Sequence, residues 1–230
     1  MCISNLCKYF SLILLFLFTV NISSAQIEFN RQHKFKDGIY LSAMGFRNDS
    51  PTIPPEDYTY KEQGSTSVYA YQRHLYDLKM IDSKKNLSKK NMNKIWGICI
   101  NGVPYINQHL FFKTPKQDNL EDPKIFKNYY SFAQIAMIGH ICTITAEGYK
   151  TDYLEAALTY NYNAIKFKAV KKLINVEDGE LLDFNVDNLS ACIQSDKELF
   201  SEFQKDKKKK KKIDEYIVRY NQRNPIYLEN

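Results

Sequence analysis

The stretch KIWGICINGVPYI, Lys94 to Ile106, decides how this chain folds. Two apolar runs flank Asn101-Gly102. Asn-Gly in that setting is the strongest short-range sign of a β-hairpin, because a type I′ turn needs positive φ at both central residues. The pairing follows from the turn: Ile100 closes against Val103, and Cys99 faces Pro104. In a two-residue hairpin the closing pair exchanges hydrogen bonds and the next pair does not. The hairpin therefore tolerates Pro104, whose missing N–H would have pointed away from the partner strand. A third strand beside Pro104 would be awkward there, so the Val103 strand reads as an edge, or as bulged at that point. Alternation places Trp96, Ile98 and Ile100 on one face, which is assigned to the core.

The same logic finds further strands at Gly38–Met44, Ser67–Tyr71, His74–Ile81, Phe132–Met137 and His140–Ala146. Ile138-Gly139 separates the last two as a tight turn or a glycine bend. Ala164–Val176 and Leu181–Phe184 flank Asp178-Gly179, a second hairpin turn. Residues 46–66 and 113–128, which hold Pro51, Pro54, Pro55, Pro115 and Pro123, read as loops. Every connection that can be traced is a hairpin, so the sheet is expected to be mainly antiparallel.

Towards the end the period changes. Asn185 can cap a short helix carrying Leu189, Cys192 and Ile193, and Ser195 with Glu198 has capping-box spacing before Leu199, Phe200 and Phe203. Ile213, Tyr216, Ile217 and Tyr220 stand at i, i+3, i+4 and i+7 of a further helix, which Pro225 stops near Asn224. Thr151–Asn163 also allows a helix. The expected fold class is α+β: an antiparallel sheet or open barrel built from hairpins, with C-terminal amphipathic helices packed on it.

The first 25 residues carry one positive charge, Lys8, then the apolar run Tyr9–Val20, then Ser23-Ser24-Ala25. That is the order of a secretory signal peptide. The apolar run is about a dozen residues, short of the roughly 20 that cross a bilayer. Cleavage after Ala25 leaves residues 26–230 as a single domain, periplasmic or secreted. Three cysteines remain in it, Cys99, Cys142 and Cys192. Cys99 and Cys142 could pair if their strands are neighbours; two buried thiols acting as small hydrophobes is the alternative.

The formal charge of the whole chain is +6. Removing Lys8 leaves +5, and setting aside Lys207, Lys208, Lys209, Lys210, Lys211 and Lys212 leaves −1. The basic balance is therefore local. Nucleic-acid binders spread Lys and Arg over a face and interleave reading elements, and no such element accompanies this run, so no nucleic acid is expected as partner. The run at 205–212 reads as a solvated turn or helix surface between two pinned amphipathic segments, with contact to an anionic surface as the functional alternative.

GIYLSAMGFRNDSPTI, KIWGICINGVPYIN and IDEYIVRYNQRNPIYL occur in this order. Together they resemble a family of exported Bacteroidota-type bacterial proteins of unknown function, small chains with a signal peptide or lipid anchor. The resemblance spans most of the chain beyond residue 25. It implies an extracytoplasmic bacterial protein and brings no activity, cofactor or catalytic residue with it. Where that family often has an acidic-aromatic helix after the first strand, this chain has SAMGFRND, in which Gly45 weakens a helix.

Chemistry-bearing motifs are sparse. His140 and Cys142 share a strand face by spacing, and Cys99 beside them would begin a zinc site, yet no CxxC or HxxxH accompanies them. Cys99 or Cys142 with His109 or His140 could form a nucleophilic dyad. His33, His74 and His109 have polar neighbours and no paired motif. There is no GxSxG, SxxK or HExxH. Tyrosine is abundant, at 17 residues, and Tyr58, Tyr60, Tyr69 and Tyr71 are the first candidates for an exposed aromatic binding surface. The sequence thus leans towards a non-catalytic envelope or secreted binding module, with no cofactor and with an envelope protein or glycan as partner. An extracytoplasmic hydrolase is the alternative.

Overall fold

The computed structural model describes residues 26–63, 72–81, 94–110, 129–151 and 165–228. Its strands are β1 (Gly38–Tyr40), β2 (Tyr58–Gln63), β3 (Gln72–Met80), β4 (Gly97–Ile100), β5 (Val103–Asn107), β6 (Tyr129–Met137), β7 (Ile141–Thr151), β8 (Ile165–Asn175) and β9 (Leu181–Asp183). Its α-helices are α1 (Ala43–Arg47), α2 (Val186–Cys192), α3 (Lys197–Lys205) and α4 (Ile213–Arg223). Every strand pairing is antiparallel. Seven strands follow one path, β1-β4-β5-β6-β7-β8-β9, and the β2–β3 hairpin joins it at β6. The path does not return on itself, so the protein is α+β with an open antiparallel sheet and C-terminal helices packed on it.

The deciding hairpin forms in the expected register, Cys99 opposite Pro104 and Ile100 opposite Val103. Asn101 and Gly102 both take positive φ, 55° and 77°, as a type I′ turn demands. The edge reading of the Val103 strand is corrected. β5 has a second neighbour, β6, but their ladder runs over Tyr105–Asn107. It starts one residue beyond Pro104, so the missing N–H falls outside it. Trp96 also departs from expectation: it packs in the cluster holding Cys99 and Ile106, whereas Ile98 and Ile100 pack in the cluster on the opposite face. Alternation holds within β4 and breaks at Gly97, where a Cβ would stand 2.5 Å from the Tyr105 carbonyl oxygen.

Gly38–Met44 is a strand only to Tyr40. Ser42 then caps α1 by accepting from the Gly45 N–H at 3.1 Å. Gly45, read as weakening a helix, allows Ser50 to close on the helix: a Cβ there would lie 3.2 Å from the Ser50 carbonyl oxygen. Within 46–66, expected to be loop, Tyr58–Gln63 is β2. Thr151 ends β7 rather than starting a helix. Residues 152–163, 113–128 and 67–71 lie outside the described residues.

Three apolar clusters form among the described residues. One face of β4–β6 meets β3 through Ile98, Ile100, Phe132 and Leu75. The other face, continued by Cys142, Ile144 and Ile174, is covered by Phe29, Phe35 and Phe46 and by the C-terminal Ile226 and Leu228. The third cluster lies between the helices and the remaining face of β7 and β8, joining Ile141 and Leu173 to Leu189, Leu199, Phe203, Tyr216 and Ile217. A bulge between Ile135 and Met137 turns Met137 into this helical cluster. Asn185 caps α2, accepting from Asn188 N–H at 2.8 Å. The cap of α3 is Asp196, accepting from Leu199 N–H at 3.0 Å, one residue later than the capping box predicts. The Ser195 hydroxyl instead meets the Tyr220 hydroxyl at 2.7 Å.

Candidate functional site

The lysine run is a built element with two kinds of position. Between α3 and α4 the chain makes successive i→i+3 backbone bonds: Lys209 N–H to Asp206 O, Lys211 N–H to Lys208 O and Lys212 N–H to Lys209 O, at 2.9–3.2 Å. Three residues per turn stack side chains every third position. Asp206, Lys209 and Lys212 form the row facing the protein, and all three are partly covered. Lys212 Nζ lies 3.0 Å from Asp206 Oδ2, while Lys209 Nζ donates to the Gln204 carbonyl and lies over the Phe203 ring. Lys207, Lys208, Lys210 and Lys211 form the two outer rows and are exposed. Among the described residues none of these four ammonium groups has an ion-pair partner.

The element also concentrates the charge of the chain. Residues 205–212 hold seven lysines and one aspartate, a net +6, leaving 25 basic (32 − 7) and 25 acidic (26 − 1) residues elsewhere. Its two ends sit in opposite fields. The C-terminus of α3 favours cations and the N-terminus of α4 disfavours them, and Asp214 and Glu215 occupy the first turn of α4.

The hairpin of α3 and α4 is tied along its length. Arg219 donates to both Glu202 oxygens at 2.6 and 2.5 Å. Arg223 donates to Asp196 at 2.6 and 3.1 Å and to Glu198 at 2.7 Å. Tyr216 OH donates to Asp206 at 3.1 Å. Three carboxylates are held below the usual range: Asp196 chiefly through Arg223, Glu202 through Arg219, Asp206 first through the Lys208 N–H and then Lys212. A folded pKa below the unfolded value of about 4 contributes stability that is complete above that value and lost as pH falls through the folded one. Thermal unfolding followed by circular dichroism should therefore give a midpoint flat above about pH 5 and falling below about pH 4. Arg223→Gln, which removes the main partner of Asp196, should flatten that acid limb; an unchanged limb would show that the tie contributes nothing.

The histidines pair differently from the sequence reading. His33, expected to lack a partner motif, places Nε2 2.8 Å from Asp49 Oδ2. Asp49 also accepts from the Lys36 N–H at 2.8 Å and the Tyr40 hydroxyl at 2.9 Å. A carboxylate that orients a histidine is the device of general-base catalysis. Here Asp49 is 4% exposed, and its bonds close the 33–49 segment on itself. Burial, then the nearby Asp49 charge, raises the Tyr40 phenol. His140 turns from Cys142 to Glu177, 2.9 Å away, and to the Asn224 carbonyl at 3.3 Å. Cys142 donates to the Gly139 carbonyl at 3.5 Å, and burial pushes its thiol up to about 12. Cys99 and Cys142 are both free thiols in one cluster, Cys99 donating to Phe35 O and Asp37 Oδ1. Among the described residues no three His, Cys, Asp or Glu side chains converge as a metal site.

The tyrosine surface is corrected at its first member. Tyr58 is buried in the core cluster with Leu75 and Leu78. Tyr60 is partly covered and stacks on it with centroids 6.1 Å apart. Tyr69 and Tyr71 lie outside the described residues. One small cavity of about 290 Å³ opens between the N-terminal segment, the β6–β7 turn and α4; Phe29, Met137, Ile138, Val218 and Ile226 line it, with Arg31 among its polar residues.

No protein-family model matches the chain, and no curated protein or solved structure is similar to it.

Proposed function

We propose that this chain is an exported, non-catalytic binding module that attaches to an anionic component of the cell envelope through the turn between α3 and α4. The observation that carries it is the sorting of the lysine run, inner row tied to the protein and outer four ammonium groups without an ion-pair partner among the described residues. Ties along both helices fix that turn before any partner arrives, so little ordering entropy opposes binding. The leader-like first 25 residues and the resemblance to exported Bacteroidota-type proteins support the compartment. Among the described residues no helix is long and apolar enough to cross a membrane, so attachment would use surface contacts.

Two measurements test this. Mass spectrometry of the protein recovered from its cell should find an N-terminus at Gln26; an intact Met1 in the cytosol overturns export. Pull-down with envelope extract should retain anionic material that is released as salt shortens the screening length from about 10 Å at 0.1 M. Retention unchanged by replacing Lys207, Lys208, Lys210 and Lys211 with Gln overturns the binding element.

A further inference from the structure

The row pattern carries the choice of partner further, on the footing of the anionic-contact reading above. A single-stranded nucleic acid is held by cations strung along a groove with aromatics between them. The outer lysines offer neither. They stand exposed on the turn that joins the antiparallel α3 and α4, and among the described residues the cation–π contact of the run is that of inner-row Lys209 with the buried Phe203 ring. A tip of this shape brings one or two ammonium groups to a chain but several at once to a plane of charge. We infer that the Lys207, Lys208, Lys210 and Lys211 tip docks on the phosphate plane of an anionic phospholipid leaflet, with α3 and α4 standing away from it.

The placement supports docking without insertion. Leu199, Phe203, Ile213, Tyr216 and Ile217 are committed to the sheet, so the apolar face of the hairpin is turned away from lipid, and among its described residues Val218 is the large apolar side chain left exposed. Among the described residues the residues of the turn itself, 206–212, include no exposed large hydrophobic group. Contact is then electrostatic, about five-fold in partition per lysine near an anionic leaflet, and steeply weakened by salt. Asp214 and Glu215, in the first turn of α4, and Asp206 are the nearby acidic groups; Asp214 is already paired with Lys171 and Asp206 with Lys212.

The test is co-sedimentation of the protein recovered from its cell with vesicles of about one-third phosphatidylglycerol in phosphatidylcholine, against phosphatidylcholine alone. The expected result is binding to the anionic vesicles only, lost on raising salt from about 0.1 to about 0.5 M. The quadruple variant K207Q/K208Q/K210Q/K211Q should lose binding on the order of several hundred-fold, with its circular dichroism unchanged. The outer pair K210Q/K211Q and the inner pair K209Q/K212Q remove equal charge. The outer pair should lose roughly 25-fold and the inner pair distinctly less. Equal losses from the two pairs, equal binding to neutral vesicles, or a quadruple variant that still binds would each overturn the inference. Binding to soluble polyphosphate or nucleic acid without binding to vesicles would overturn the planar leaflet while leaving attachment to an anionic partner standing.

Discussion

Phe46→Ala should cost this protein about 3–5 kcal/mol, read as a fall in thermal midpoint on the order of 10 °C for a chain of this size. Phe46 is 1% exposed and is the ring on which four others converge. Its centroid lies 5.0 Å from Phe35 and 5.1 Å from Trp96 in stacked geometry, and 5.2 Å from Phe29 and 5.9 Å from Tyr40 edge to face. Removing it opens a cavity bounded by the N-terminal segment, α1 and β4, pieces held in place by the Asp49 bonds to His33, Lys36 and Tyr40 and by the Asp37 bonds to Cys99 and Gly102, so collapse can refill little of it. Phe46→Leu keeps most of the apolar volume and should lose distinctly less. Trp96 is the chain's single tryptophan and stacks on Phe46, so its emission reports the site directly: a red shift is expected in Phe46→Ala well below the unfolding midpoint. An unshifted emission together with a loss below about 1 kcal/mol would mean that this aromatic group is not a core.

That cluster shows what the sequence conveys and what it withholds. The hairpin of β4 and β5 was legible because its turn chemistry is local: Asn101 and Gly102 must take positive φ wherever the rest of the chain goes. The faces of α3 and α4 were legible because a buried stripe repeats with the helix. α1 was not, because its reason is non-local: Gly45 lies where Ser50 closes on it, and Phe46 finds its rings on Phe29, Phe35, Tyr40 and Trp96. Tyr58 misled for a similar reason, since β3 and Ile53 cover it and no spacing within Tyr58–Gln63 announces them.

The lysine run was half legible. Its solvated place between two pinned helices follows from the flanking apolar periods. Its division into rows does not, because six identical residues carry no period of their own. Asp206 is the single clue. A carboxylate at one end of the run selects the lysines three and six positions later as its row, provided the backbone makes i→i+3 bonds. Those bonds are a property of the joined helices and not of the lysines.

Replacing Asp49 should give a graded series that separates charge, hydrogen bonds and backbone strain. The carboxylate bonds His33, the Lys36 N–H and the Tyr40 hydroxyl while its backbone sits at φ 46°, a region that Asp, Asn and Gly enter more readily than other residues. Asp49→Asn keeps that backbone, and its amide oxygen can still accept from Lys36 and Tyr40 while its NH₂ faces His33. A loss of about 1 kcal/mol is expected. Asp49→Gly removes every acceptor but relieves the backbone. The Lys36 N–H and the His33 ring then lose their partner, whereas the Tyr40 hydroxyl keeps the Lys36 carbonyl at 2.7 Å. The loss should rise to about 3 kcal/mol. Asp49→Ala adds a side chain that the left-handed region penalises, a further loss of about 1 kcal/mol. Urea unfolding of the three variants at neutral pH reads the order directly. Ala equal to Gly would remove backbone strain from the account. Asn as damaging as Gly would place the weight on the contact to His33, because the bonds from Lys36 and Tyr40 survive in the amide while the acceptor oxygen and the charge facing His33 are gone.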